Sequence, residues 1–160
     1  MTLIIDGYNL LHASGVFGAE RGPRGFEASR IALLDTLVDL LGDAAAEPIV
    51  GFDAARAPDG LPGRLVHGRI RVWFAREYPD ADSLIEELVD EDDAPASLLV
   101  VSSDRRLQAA ARRRRARAVS SEEWLESMRA ARRARGRRPE SKPPEPGPDD
   151  VERWKRYFGL

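Results

Sequence analysis

The stretch Leu3-Ile-Ile-Asp-Gly-Tyr-Asn-Leu-Leu-His12 joins a short aliphatic run directly to a carboxylate at Asp6. A short run of bulky and branched aliphatic residues is typical of a strand that is buried on both faces of a parallel sheet. Similar runs recur along the chain. We predict strands at Leu3–Ile5, Ile49–Phe52, Ile70–Phe74 and Leu98–Val101, with a weaker fifth at Ala116–Val119.

Segments of helical periodicity separate these runs. We predict helices at about Ala28–Leu41, at about Asp82–Val89, from near Asp104, and from the capping box Ser120-x-x-Glu123. Residues 54–68 are rich in glycine and proline and are expected to form a long surface loop. Strands that alternate with helices in this way predict an α/β fold with a parallel sheet.

The C-terminal part of the chain has a different composition. We expect one domain over residues 1–136, because residues 137–150 hold five prolines and predict an extended linker. Residues 151–160 predict a short amphipathic tail, with Val151, Trp154 and Phe158 close to one face of a helix. This tail either docks on a partner molecule or folds back on its own domain, and the sequence favours neither.

The composition excludes several classes of protein. The 160 residues contain no cysteine, which excludes disulfides, thiolate metal sites and cysteine nucleophiles. The first residues carry no basic segment and reach Asp6 early, which argues against a signal peptide or a membrane span. We expect a soluble, cytoplasmic protein with no membrane partner.

The net charge of −2 is an average over two unlike parts of the chain. Residues 1–103 hold 8 arginines against 18 acidic residues, whereas residues 104–160 hold 17 basic residues against 9 acidic ones. Between Arg105 and Arg138 there are 13 arginines and three glutamates. Such a run is often a solvated helix face, but three acids cannot neutralise it, so we favour contact with a polyanion.

Carboxylates occupy the predicted ends of two strands. Asp6 and Asp104 each follow an aliphatic run, and Asp82 opens a predicted helix. The carboxyl ends of parallel strands are the usual place for sites in α/β folds, so these acids are expected to converge. Carboxylates without histidine or cysteine suit a hard divalent cation and phosphodiester hydrolysis. A single acid of this kind is as often a helix cap or an Asx turn.

Four motifs in order make the chain similar to a known family. They are Ile5-Asp-Gly-Tyr-Asn-Leu-Leu-His12, Phe52-Asp-Ala54, Ala81-Asp-Ser-Leu-Ile-Glu86, and Val100-Val-Ser-Ser-Asp104 followed by Gln108. Over about residues 1–128 the chain resembles the YacP-like NYN domains, a branch of the PIN-like nucleases. The resemblance implies a three-layer α/β/α sandwich with a parallel sheet of about five strands.

The resemblance also implies an activity. Active members of the family cleave RNA endonucleolytically with a divalent cation, Mg²⁺ or Mn²⁺, held by acidic residues. Carried over, the metal ligands are Asp6, Asp82 and Asp104, with Glu86 as a fourth acid, and Asn9 joins the first three as a catalytic residue. The expected partner is RNA, with the ribosome or another protein as a candidate for selecting the target.

Other residues have two possible roles. Ser103 is expected to contact a metal or phosphate, and Tyr8 either stacks on a base or packs under the first loop. Asp53 is expected to cap a loop or pair with an arginine. Some related nucleases carry an acid where this chain has Gln108, so a non-catalytic RNA-binding module stays open as an alternative. The predicted RNA contacts are Tyr8, Ser103, Arg105, Arg106, Arg112, Arg113, Arg114 and Arg115.

Overall fold

A central mixed sheet organises the chain. The computed structural model describes residues 1–15, 23–54, 60 and 63–137. Residues 1–129 form one compact unit, and a second unit, residues 130–160, is described only as far as residue 137. The predicted linker and tail lie outside the described residues, so those domain boundaries stay predictions.

Six strands form the sheet, in the order β3-β4-β2-β1-β5-β6. All neighbours are parallel except β3 and β4, which form an antiparallel hairpin at one edge. The first strand lies in the interior of the sheet, between β2 and β5, which explains why its aliphatic run is buried. The strands are β1 (Thr2–Asp6), β2 (Glu47–Phe52), β3 (Arg64–His67), β4 (Ile70–Phe74), β5 (Leu98–Val101) and β6 (Arg117–Val119).

Helices cover both faces of the sheet and give the predicted three layers. On one face, leucines of α1 and α2 and Trp124 of α5 pack against β1, β2 and β4. On the other face, Ile85 and Val89 of α3 and Leu107 of α4 pack against β1 and β5. The helices are α1 (Gly7–Ser14), α2 (Pro23–Leu41), α3 (Ala81–Asp90), α4 (Arg105–Arg113) and α5 (Ser121–Arg137), with a 3-10 turn at Pro95–Ser97.

One helix, one strand and the short 3-10 turn were not predicted. The helix α1 starts directly after β1, because the side chain of Asp6 accepts a hydrogen bond from the backbone N–H of Asn9 and caps it. The predicted loop 54–68 contains β3, so the loop prediction is wrong for Arg64–His67. Gly68, with φ of +60°, makes the two-residue turn that returns the chain into β4.

Ser120 caps α5 at the predicted place, since its Oγ accepts from the backbone N–H of Glu123 at 3.2 Å. Within the described ranges, no helix is long and apolar enough to cross a membrane.

Candidate active site

The three predicted acids lie at the carboxyl edge of the sheet. Asp6 is the last residue of β1, and Asp104 follows the neighbouring strand β5 and caps α4. Asp82 lies in the first turn of α3, which packs against the same face of the sheet as α4. The topology therefore brings together residues that lie up to 98 positions apart in the sequence.

Asp6 is the most buried of these acids, with 8% of its surface exposed. Its Oδ2 accepts a hydrogen bond from the hydroxyl of Ser102 at 3.0 Å, and its Oδ1 accepts from the Asn9 N–H at 3.4 Å. Burial raises the pKa of Asp6, and the charges of Asp104 and Asp53 raise it further, while the two hydrogen bonds oppose the rise. The carboxylate is thus fixed by contacts on both oxygens.

Asp82 shows the strongest electrostatic effect of the site. Burial, and next the charge of Asp104, raise the pKa of Asp82 to about 7, and a hydrogen bond with the Asp104 carboxyl and the charge of Asp6 add to this rise. At neutral pH these carboxyls repel one another unless a proton or a cation lies between them. The three acids are therefore close enough to act as one electrostatic unit.

Ser102 connects the two strand-end acids, and sequence reasoning missed it. It is fully buried; its hydroxyl donates to Asp6 and accepts from the backbone N–H of Asp104 at 3.0 Å. Gln108 donates from Nε2 to the Ser102 carbonyl at 2.8 Å, so it supports this turn from α4. In the sequence, only the position of Ser102 between an aliphatic run and an acid indicates such a role, and this signal is weak.

A second network fixes Asn9. Its Oδ1 accepts from the Ser103 N–H at 2.8 Å and from the Ser121 hydroxyl at 2.5 Å. Because a backbone N–H can only donate, the atom that faces Ser103 must be the oxygen. Both acceptor positions of that oxygen are then occupied, so Asn9 is not free to ligate a cation through it. Its amide nitrogen has no protein partner within the described ranges.

The hydroxyl of Ser103 is also engaged. It donates to Glu122 at 2.5 Å and accepts from the N–H of Ser121 at 3.1 Å. Ser103 therefore ties the turn after β5 to the start of α5, which differs from the predicted role as a metal or phosphate contact. Neither Ser121 nor Glu122 was singled out from the sequence.

Glu86 is not part of the acidic cluster. Arg106 binds it with two hydrogen bonds, from Nε to Oε1 at 2.6 Å and from Nη2 to Oε2 at 3.2 Å. Its carboxylate therefore has a cationic partner in this structure, and its role as a fourth metal ligand stays a prediction. Arg106, expected to bind RNA, instead lies across the start of α3, with Nη1 3.7 Å from Asp80 and 4.0 Å from Asp82.

Asp53, Asp80 and Tyr8 have structural roles. Asp53 accepts from the backbone N–H of Ala81 at 2.6 Å, and Asp80 caps α3 by accepting from the N–H of Ser83 at 2.7 Å. The ring of Tyr8 makes edge-to-face contacts with Phe26 and Phe52, with centroids 5.9 Å and 5.3 Å away. Tyr8 thus has the packing contacts weighed above, and its base-stacking role stays a prediction.

The arginines in and just after α4 lie in two groups, one at the carboxyl ends of the strands and one at their amino ends. The helix has nine residues, so it carries the chain about 13 Å from Asp104 back to the amino end of β6. Arg114 donates there to the carbonyls of Val89, at 3.4 Å, and Asp92, at 2.6 Å, and its predicted RNA contact stays a prediction. The remaining predicted arginines are exposed: Arg105, Arg112, Arg113 and Arg115.

The donor set fits a hard divalent cation in its chemistry. Asp6, Asp82 and Asp104 supply carboxylate oxygens whose mutual repulsion a cation would relieve. Among the described residues, no group of three or more histidine, aspartate or glutamate side chains is already arranged for metal binding. The three acids are thus candidates by residue type and proximity.

Comparison with known proteins agrees with this architecture. The sequence model of the YacP-like NYN domain family matches residues 3–155. The crystal structure of Rae1 (YacP) from Bacillus subtilis superposes with a TM-score of 0.69; it is 24% identical and covers 99% of this chain and 84% of that chain. A tryptophan-to-leucine mutant of that protein has a TM-score of 0.67, 26% identity, and coverage of 86% and 79% respectively. A search of curated proteins found no match.

Proposed function

Because the chain belongs to the YacP-like NYN domain family, we propose that it is a divalent-metal-dependent endoribonuclease that hydrolyses phosphodiester bonds of RNA. Membership of this family, within the PIN-like nucleases, indicates a ribonuclease-type function. The proposal adds that cleavage is endonucleolytic and depends on Mg²⁺ or Mn²⁺. It also adds that the protein is cytoplasmic and that its RNA target is associated with the ribosome.

One observation carries the proposal: Asp6, Asp82 and Asp104 interact electrostatically at the carboxyl edge of the sheet, and these interactions help to raise the pKa of Asp82 to about 7. A fold does not maintain such repulsion for stability, because ionising these groups together costs free energy. Perturbed acids that converge at the edge where α/β folds bind ligands are typical of functional sites.

In the proposed mechanism, Asp6, Asp82 and Asp104 hold the cation. A bound divalent cation supplies activation of a water molecule and neutralisation of charge on the phosphate. Ser102 keeps Asp6 and the Asp104 backbone in place. Asn9, with its oxygen fixed by Ser103 and Ser121, donates from its amide nitrogen to a phosphate oxygen or to water. Asn9 thus serves as a donor to the substrate and does not ligate the metal.

The test is cleavage of RNA by the purified chain and by Asp6→Asn, with structured and single-stranded substrates and with Mg²⁺, Mn²⁺ or chelator. We expect cleavage by the wild type with metal only, and loss of at least about 100-fold in Asp6→Asn, as when a group central to the chemistry is removed. The matched control is Asp93→Asn, an exposed acid away from the cluster, which should cleave normally.

A non-catalytic RNA-binding module is the second candidate. Gln108 supports the turn with an amide where some related nucleases carry an acid, and Glu86 is bound to Arg106, which leaves Asp6, Asp82 and Asp104 of the four predicted metal ligands. RNA binding without cleavage in any metal, with ribosomes also added, favours this candidate. Cleavage that persists in chelator and in Asp6→Asn contradicts the metal-dependent mechanism.

A further inference from the structure

Among the described residues, no helix packs on one face of the hairpin β3–β4. Side chains alternate along β4, so that Val72 and Phe74 pack in the core under α2 while Arg71 and Trp73 point to the opposite face. On that face α3 packs over the neighbouring strand, where a Cβ added to Gly51 would lie 3.2 Å from Ile85. Arg71 and Val66, a register pair of the hairpin, are exposed, the latter by 71%.

The acidic site lies on the same face of the sheet, with α3 packed over the strand between them. Asp6 pairs with Gly51, Gly51 pairs with Trp73, and Trp73 pairs with Arg64, so the four residues form one row across four strands. Partners in such a row point to the same face of the sheet. Neighbouring strands are about 4.8 Å apart, so the Cα atoms of Asp6 and Trp73 are about 10 Å apart.

A cavity of about 300 Å³ lies where the hairpin meets the loop after β4. Its walls include two aromatic rings, Trp73 and Tyr78, and two arginines, Arg64 and Arg76, together with Glu77. Tyr78 is held by a hydrogen bond to Glu87 of α3. The loop that forms this wall continues into α3, and it reaches Asp82 four residues after Tyr78. Four residues span at most about 14 Å, so the cavity lies close to the acids.

Neither arginine of the cavity has an acidic partner among the described residues. The guanidinium carbon of Arg64 lies 3.7 Å from the centroid of the Trp73 ring, which is a stacked arrangement. Neither Arg64 nor Arg76 forms an ion pair with any residue that the structure describes. An exposed guanidinium that is stacked on an indole presents a flat cationic surface. Unpaired bases stack on such surfaces and on aromatic rings, and arginine also contacts phosphate.

We propose that this cavity is a nucleobase subsite, in which one unpaired base of the RNA stacks on the Trp73–Arg64 pair while Arg76 contacts the adjacent phosphate. The proposal rests on one part of the proposed function, which is that RNA binds across the acidic site. Its location, about two strands from Asp6, makes the occupant a nucleotide near the scissile phosphate. The subsite thereby selects single-stranded over paired RNA at that position, because a paired base is not available for stacking.

The experiment measures binding of a short oligouridine and of a matched oligomer whose interior nucleotides lack bases, in the Asp6→Asn background to prevent cleavage. Trp73→Leu is expected to raise the Kd for oligouridine by about tenfold, the effect of losing one base stack. Trp73→Phe keeps a ring and should retain most of the affinity. Arg64→Lys keeps the positive charge but removes the planar guanidinium group, so we expect an intermediate loss of affinity for oligouridine.

The penalty from Trp73→Leu should disappear with the abasic oligomer, which has the same phosphates and no base to stack. Photocrosslinking of 5-iodouridine in the oligomer should label Trp73 or Tyr78. Circular dichroism and thermal melting verify that each variant is folded. Arg112→Ala, an exposed arginine at the other edge, should weaken binding of both oligomers equally.

Equal binding of oligouridine by wild type and Trp73→Leu overturns the subsite, as does an equal penalty for both oligomers or crosslinks found only outside the cavity. A protein segment that binds the hairpin in place of RNA produces the first of these results. Failure of metal-dependent cleavage, with the binding pattern intact, contradicts the proposed nuclease and leaves the subsite standing, so the two failures are distinguishable.

Discussion

At the scale of single residues, the acids of the site act against the stability of the fold. The pKa of Asp82 is raised from its ordinary 3.8 to about 7 by burial and by Asp104 and Asp6. Below pH 3.8 this group is protonated in both states and has no effect. As the pH rises from about 4 to 7, the unfolded chain releases the proton and the folded chain keeps it, so stability falls through this window and stays lower above it.

We therefore predict that Asp82→Asn stabilises the metal-free protein at pH 8 and not at pH 4. Because 29% of the Asp82 side chain is exposed and solvent screens it, we expect a gain of about 1 kcal/mol. Chemical denaturation at several pH values measures it. Asp93→Asn should show no such trend, and adding Mg²⁺ should narrow the gap between wild type and Asp82→Asn. A gap that is independent of pH would contradict the electrostatic cause.

Ser121 is a second residue whose effect can be isolated. It is fully buried, and its hydroxyl holds the Asn9 oxygen at 2.5 Å. We predict that Ser121→Ala lowers the free energy of unfolding by about 1 kcal/mol, the cost of one buried hydrogen bond, and reduces cleavage because Asn9 is less well oriented. Ser127→Ala on the same helix removes an exposed bond to the Glu123 carbonyl and should leave cleavage unchanged. Equal kcat for Ser121→Ala and wild type would show that Asn9 needs no such anchor.

At the scale of elements, the site depends on how closely α1 approaches β2. A Cβ added to Gly7 would lie 2.4 Å from the Phe52 ring and 2.8 Å from the Gly51 carbonyl oxygen. The ring cannot move away easily because Phe52 is fully buried. Gly7 therefore allows α1 to begin directly after Asp6, which keeps the carboxylate at the edge of the sheet.

Gly7→Ala is expected to destabilise the fold by about 1–3 kcal/mol through overpacking, with a lower Tm and weaker cleavage. Gly136→Ala is the matched change, since nothing lies within 4 Å of an added Cβ there and alanine is the better helix former. We expect that variant to be neutral or slightly stabilised. Two indistinguishable melting curves would show that α1 shifts to accommodate the methyl group.

Sequence patterns predicted those elements that are long or strongly apolar. The five predicted strands and the four predicted helices all occur in the structure. The strand β3 was not predicted because Arg64–His67 has only two apolar residues and one of them is exposed. The helix α1 was not predicted because its first residues, Gly7-Tyr-Asn, have a low helix propensity. In the structure, packing against β2 outweighs this low propensity.

The candidate site was predicted in part for a related reason. Strand ends are visible in a sequence, so Asp6 and Asp104 were expected at one edge. The partner of a long side chain is not visible. Arg106 reaches Glu86 twenty positions away, and Ser121 reaches Asn9 across 112 positions, and such contacts depend on the three-dimensional fold alone. They show that the Glu86 carboxylate is paired with Arg106 and that the Asn9 side-chain oxygen already accepts two hydrogen bonds.

At the scale of the whole molecule, the exposed arginines in and just after α4 lie at the two ends of that helix. Arg105 lies beside Asp104, whereas Arg112, Arg113 and Arg115 lie about one helix length away. An RNA strand that contacts both groups must run along α4. Each phosphate neutralised on a single strand contributes about 0.7 to the slope of log K against log salt.

We predict that Arg112→Ala with Arg113→Ala reduces this salt slope by about 1.4, the value for two phosphates, and leaves the metal requirement of cleavage unchanged. Arg114→Ala is the informative comparison, because that side chain donates to the Val89 and Asp92 carbonyls. It should lower the Tm and leave the slope nearly unaltered. Fluorescence anisotropy over a range of salt concentrations measures both, and an unchanged slope in the double variant excludes α4 as a phosphate path.

The interior position of β1 has a consequence for biosynthesis. Thr2 pairs on one side with Glu47 and on the other with Leu98, so its second neighbour is translated almost 100 residues later. At about 5–20 residues per second, roughly 5–20 seconds pass before β5 can join. During that interval the backbone amide and carbonyl groups on one edge of β1 have no strand partner. The nascent chain therefore has an open strand edge for longer than a protein whose strands pair in the order of synthesis.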